Sequence, residues 1–146
     1  MFGDFLKRLT QPDPEPLADT DARLALTALL VRIARSDHHY APEERALIDQ
    51  LTMDRYGLDA TDAARLRGDA EGLESEAPDT VRFTRAIKDA IAYEDRLKVI
   101  EALWKVVLAD GTRAKEEDAL LRLVTNLLGI SDMDSAEARQ KVEAQS

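Results

Sequence analysis

At 146 residues the chain has the length of a single domain and can bury a sizeable core. Hydrophobic residues make up 45% of it and charged residues 34%, the balance of a folded soluble protein rather than a disordered one. The net charge of −9 argues against general nucleic-acid binding, because carboxylates repel a phosphate backbone. The absence of cysteine excludes disulfides, zinc–thiolate sites and cysteine nucleophiles.

The first predicted element is a short amphipathic helix over Phe2–Leu9, with Phe2, Phe5, Leu6 and Leu9 at helical spacing. Docking on its own bundle or on a partner is expected of it. A two-turn helix with so few basic residues would bind a lipid surface weakly, so membrane contact through residues 1–9 is the lesser expectation. It is too short and too charged for a signal peptide. Gln11–Leu17 alternates three prolines with acids and reads as a linker, because each proline fixes φ and lacks a donor. Residues 1–18 are thus expected to be helix plus linker, and residues 19–146 the helical domain.

Asp19 or Thr20 can cap the next helix. Leu24, Leu26, Leu29, Leu30, Ile33 and Ala34 give it so wide an apolar face that it must be largely buried. Pro42 opens a helix that carries Leu47, Ile48 and Leu51 inward and ends at Gly57, a natural C-terminal cap. Thr61–Glu74 follows, with Asp59 or Thr61 as cap and a thin apolar face of Ala63, Ala64, Leu66, Ala70 and Leu73. Pro78 or Asp79 opens the next helix, with Val81, Phe83, Ile87 and Ile91. Glu94–Ala109 and Lys115–Leu128 come next, stopped by Gly111 and Gly129, and Ser131–Glu143 forms a weak terminal helix. Trp104 lies on an apolar face and reads as core. No segment shows strand alternation. The expected fold is all-α, a bundle of about seven helices. No apolar run approaches the roughly 20 residues that span a bilayer, and a cytoplasmic location is expected.

One pattern occurs twice. Leu30–Ile48 and Leu103–Leu121 each read as an apolar helix ending in Asp, a short turn, and Glu-Glu opening the next helix. The corresponding residues lie 73 apart, as Asp37 and Asp110 do. A duplicated helical hairpin is the expected origin. An Asp at a helix C-terminus faces the negative end of the helix dipole and needs compensation. Backbone N–H groups of the turn would supply it, and so would a bound cation. Glu44 and Glu117, seven residues on, fall at N3 behind Ala41 and Ala114, where Glu can reach back to the N-cap N–H. Each hairpin also brings its Asp near its Glu, and carboxylates that close recruit a proton or a hard cation such as Ca²⁺ or Mg²⁺. Asp37, Glu44, Asp110 and Glu117 are therefore candidate cation ligands as well as candidate caps. His38 and His39 occur in the first copy alone and would extend a site there. The spacing is not that of an EF-hand loop, no Glu-x-x-His pair of a di-iron bundle is present, and no glycine-rich phosphate loop occurs.

At these same residues the chain resembles the TerB-like family, the tellurite-resistance protein B group. The paired Ala/Ser-Asp hairpins with their downstream Glu carry the resemblance. Phe83-Thr84-Arg85, Tyr93–Arg96, Ile100–Trp104, Ala109-Asp110-Gly111 and Leu127–Ser131 are similar to a proteobacterial branch of it. The resemblance covers about Leu24–Asp134. It implies a seven- or eight-helix bundle with pseudo-two-fold symmetry and an acidic surface patch mapping to Asp37, Glu44, Asp110 and Glu117. It also implies an association with tellurite and stress resistance and divalent-metal binding; a related domain precedes the J-domain of a membrane-anchored co-chaperone. The chain departs from the pattern at His38, where Gly is usual, at Ala41 and Ala114, where Ser or Thr caps are usual, and at Arg113, where an apolar residue is.

Two functions follow as expectations. The first is a non-enzymatic stress-response or interaction module that binds a protein partner, with a divalent cation on its acidic face. The alternative is a metal-dependent enzyme or metal-ion handler that uses the repeated carboxylates.

Overall fold

The computed structural model describes residues 2–10, 19–35, 40–77, 80–108 and 115–145. Among the described residues there are eight helices and no strand: α1 (Gly3–Thr10), α2 (Asp19–Arg35), α3 (Pro42–Tyr56), α4 (Ala60–Glu76), α5 (Thr80–Ala90), α6 (Tyr93–Leu108), α7 (Lys115–Leu127) and α8 (Asp132–Gln145). The seven helices expected after residue 19 are all present. None of the described helices is long and apolar enough to cross a membrane.

α2 is the axis of the bundle. Every residue from Ala25 to Val31 is buried, and so are Ile33 and Ala34. A helix buried on all sides needs neighbours on all sides, and α3, α4, α5, α6 and α7 supply them. Ala63 and Ala70, both fully buried on α4, keep its face thin and let the α4 axis come close to α2. Ala64, on the same helix, is exposed instead. α6 is the second core helix. It buries Val99, Ile100, Leu103, Trp104, Val106 and Val107 against α8, α2, α7 and α3. Trp104 is core as expected, and its indole N–H donates to Ser135 Oγ at 3.2 Å, which satisfies the one polar atom of the ring.

The helix ends follow local chemistry. Gly57 (φ 66°) and Gly129 (φ 72°) take the left-handed conformation that stops α3 and α7. Both Gly57 N–H and Leu58 N–H donate to the Met53 carbonyl, at 2.9 and 3.3 Å. The Asp59 side chain caps α4 by accepting from Asp62 N–H at 2.8 Å, and Ser131 Oγ caps α8 by accepting from Asp134 N–H at 3.1 Å. α2 and α6 end at Arg35 and Leu108, and α3 and α7 begin at Pro42 and Lys115, each pair 73 residues apart. α2 packs on α4 as α6 packs on α8.

α1 docks on the bundle against α5. Phe5 is 8% exposed and Leu9 1%, so the apolar face of α1 is spent on the core. A Cβ placed on Gly72 of α4 would stand 3.0 Å from the Phe2 ring, which shows how closely the start of the chain lies over α4. Leu9→Ala should lower stability by about 3 kcal/mol within a single denaturant transition, the cost of a buried cavity. Lys7→Ala, on the exposed side of α1, should leave it unchanged to within about 0.5 kcal/mol. Equal midpoints for the two variants would show that α1 lies outside the cooperative core.

Candidate functional site

The first hairpin can be built from α2 and α3. Ala41 is the N-cap of α3, in extended backbone (φ −69°, ψ 154°), with Pro42 at the first helical position. Its methyl group cannot accept a hydrogen bond. Glu44, at N3, therefore supplies the reciprocal half of a capping box alone: Ala41 N–H donates to Glu44 Oε1 at 3.2 Å. Of the six candidate ligands, Glu44 is the one whose side chain is placed, and it occupies the cap position its spacing called for. Asp37, His38, His39 and Asp110 lie outside the described residues. Glu117 lies on α7, its side chain outside the described ones. Among the described residues no group of three or more His, Asp or Glu is arranged to hold a metal ion.

The supports of that hairpin are ion pairs. Arg32 Nε and Arg35 Nη1, one turn apart near the end of α2, contact the two oxygens of Glu74 on α4 at 3.1 and 2.7 Å. Arg32 Nη2 also donates to the Glu74 carbonyl at 3.1 Å, and its guanidinium lies 5.1 Å from the centre of the Phe83 ring. The Arg32 and Glu74 side chains are only 12% and 13% exposed, so this pair is largely desolvated. Across the same face Arg67 of α4 contacts Asp49 of α3 at 2.7 Å and Glu71 at 3.3 Å. Tyr40 stands between the guanidiniums of Arg35 and Arg45, 5.0 and 5.4 Å from its ring centre. Burial pushes the Tyr40 phenol well above its usual range, and the neighbouring Glu71 carboxylate pushes it further.

Sequence reasoning did not find this lattice. Arg32 and Arg35 are visible as cations in the last turn of α2, where they suit the helix dipole. Nothing local names Glu74 as their partner, because 42 and 39 residues separate them.

A second concave feature lies between α2, α3 and α6. It is a groove of about 230 Å³ with Leu26, Leu30, Leu51, Val99 and Ala102 in its floor. A further volume of about 330 Å³ continues it past Arg23 and Tyr56 to Ile91. Small side chains make the groove, since Ala102, Thr27 and Thr52 stand where larger residues would fill the space between the helices. Both threonine hydroxyls are satisfied inside their own helices, Thr27 donating to the Arg23 carbonyl at 2.7 Å and Thr52 to that of Asp49 at 3.0 Å. Tyr56 sits between Arg23 and Arg55, 4.8 and 5.7 Å from its ring centre. Burial raises its phenol pKa in spite of both cations.

Two measurements follow from the lattice. Glu74→Ala strands the largely buried Arg32 and should cost about 3 kcal/mol, whereas Arg65→Ala at the exposed pair with Asp62 should cost under about 1 kcal/mol. Equal costs would mean that the Glu74 pairs are solvated. In alkali, the folded chain keeps Tyr40 protonated above the pH at which the unfolded chain releases that proton. Stability from this residue is therefore complete below pH 10.0, the ordinary phenol value, and is lost as pH rises from there towards the folded pKa. Tyr40→Phe should flatten that part of the alkaline stability curve, and an unchanged slope would contradict the burial of Tyr40.

Residues 23–140 match the family model of tellurite resistance protein TerB. No curated protein and no solved structure matches the chain. The family match runs from α2 into α8, and so takes in both core helices, the ion-pair lattice and the groove. The chain belongs to the TerB family.

Proposed function

We propose that this TerB-family chain is a non-enzymatic, cytoplasmic stress-response module that acts by binding a protein partner and holds a divalent cation at its repeated carboxylates. Family membership supports a tellurite-resistance-associated role. The binding reading goes further, and one observation carries it. Six charged side chains near the first hairpin are paired with each other, Arg32 and Arg35 with Glu74, Arg67 with Asp49 and Glu71. Groups held this way fix helix ends. Their charges are committed to one another, which suits rigid supports of a binding surface.

The ligand set of the cation would be Asp37, Glu44, Asp110 and Glu117, with His38 and His39 as further ligands on the first hairpin. Oxygen ligands of this kind suit Ca²⁺ or Mg²⁺. The 73-residue spacing that relates the hairpins also relates the ends of α2 and α6 and the starts of α3 and α7, which supports a duplicated unit with one carboxylate pair in each half. Glu44 bonds the Ala41 N–H through Oε1.

Calorimetric titration of chelator-stripped protein with Ca²⁺, Mg²⁺, Mn²⁺ and Zn²⁺ tests the cation. Saturable binding is expected for a hard cation and should disappear in Asp37→Ala and in Asp110→Ala. Glu44→Gln separates the two roles of that residue, because Gln can still accept from the N-cap N–H. It should weaken cation binding about tenfold, one ligand charge lost, with little change in stability. Flat titrations would leave the four carboxylates as caps and solvated surface.

A further inference from the structure

We infer that the groove between α2, α3 and α6 is the docking site for an acidic amphipathic helix of a protein partner. The inference rests on the reading of the chain as a binding module but needs no cation. The argument begins with charge. The protein carries a net charge of −9, yet Arg23, Arg55, Lys98 and Lys105 all line this one groove and its continuation. The acids there are differently placed. Glu101 is held by Lys141 at 3.2 Å, and Asp54 accepts from Gln50 at 2.9 Å. Asp95 lies in the first turn of α6, where it complements the positive end of its own helix. None of the ion pairs among the described residues engages Lys98 or Lys105.

The shape agrees with the charge. Lys98 and Lys105 are seven residues apart on α6, two helical turns, about 10.5 Å along the axis. Carboxylates spaced by two turns on a helix lying along α6 would meet both. On α6 Glu101 stands between the two lysines, held by Lys141, while Leu26, Leu30, Leu51, Val99 and Ala102 make the rest of the lining apolar and the two threonine hydroxyls are satisfied within their own helices. A helix that lays an apolar stripe into a groove and flanks it with charge opposite to the rim is a standard recognition mode. An acidic partner is disfavoured at the acidic faces of this protein, so a cationic rim also helps to select the site.

The test uses the full chain and a fluorescent synthetic peptide of about 14 residues, four helical turns, with Leu along one face and Glu on both flanks. A twin peptide carries Lys in place of every Glu. The Glu peptide should bind saturably, and its amide shift changes on the isotope-labelled protein should centre on Leu26, Leu51, Val99 and Ala102. The Lys98→Glu, Lys105→Glu double variant should weaken it at least about tenfold and should favour the Lys twin. Both lysines lie on the groove wall, and circular dichroism of the variant checks its fold. Equal binding of the two peptides, shifts centred elsewhere, or an unaffected variant would overturn the proposal. So would concentration-dependent dimerisation abolished by the variant, which would make the occupant a second copy. Saturable binding of dodecanoate at the groove with no binding of the Glu peptide would likewise overturn it, in favour of a small amphiphile. A cellular partner captured equally by wild type and variant would overturn the groove while leaving the binding-module reading intact. Capture by neither, together with flat cation titrations, would remove that reading itself.

Discussion

Burial of α2 on every side is the constraint on which the rest of the molecule depends. Ten consecutive positions, Ala25 to Ala34, include a single one that is not buried, Arg32. Such a helix cannot lie on a surface, so α3, α4, α5, α6 and α7 must surround it. Their own faces are cut to that requirement. α4 presents fully buried alanines and one fully buried leucine, Leu73, while α6 presents larger residues and α5 presents Phe83. α1 then covers what remains, placing Phe5 and Leu9 in the same core. The large terms in this fold are therefore apolar, and the polar interactions choose among arrangements that the core already permits.

The exception within α2 shows what the polar interactions add. Arg32 enters an otherwise apolar stretch and can do so because Glu74 takes its charge and the Phe83 ring lies against its plane. A desolvated guanidinium without these partners would cost more than the pair contributes. The pair thereby fixes the register of α2 against α4. Arg35 shares the same carboxylate, and Arg67 joins α4 to α3 through Asp49. Together they set the positions of the residues that bracket the first acidic turn. On the proposed reading, a rigid base of this kind would lower the entropy lost when the hairpin meets its ligand.

The groove arises from the opposite tendency, a place where the core is left unfilled. Ala102, Thr27 and Thr52 are too small to close the space between α2, α3 and α6. An apolar recess with cations on its edge is poorly served by water and well served by an amphipathic acidic segment. It lies on α6 and α3, while the carboxylates proposed as cation ligands belong to the hairpin turns and the helix starts that follow them. The two proposals together put an acidic and a basic kind of recognition chemistry on a single bundle.

Much of the local order was legible in the sequence. The apolar face of α2, the start of α3 at Pro42, the glycine stops at Gly57 and Gly129, the Asp59 cap and the N3 position of Glu44 are short-range effects, set by propensity, capping and the 3.6-residue period. The all-helical class followed from the same signals, and the tellurite-resistance family from motif spacing along most of the chain. Tertiary structure alone decided the rest. That Arg32 and Arg35 share Glu74, that Tyr40 stands between two guanidiniums, that α1 spends its apolar face on the core, and that four cations of an acidic chain meet at one groove are relations between distant positions. Helical periodicity states which side of a helix is apolar. It does not state which other helix that side will face, because the hydrophobic effect is non-directional and the choice is made by packing the whole core at once.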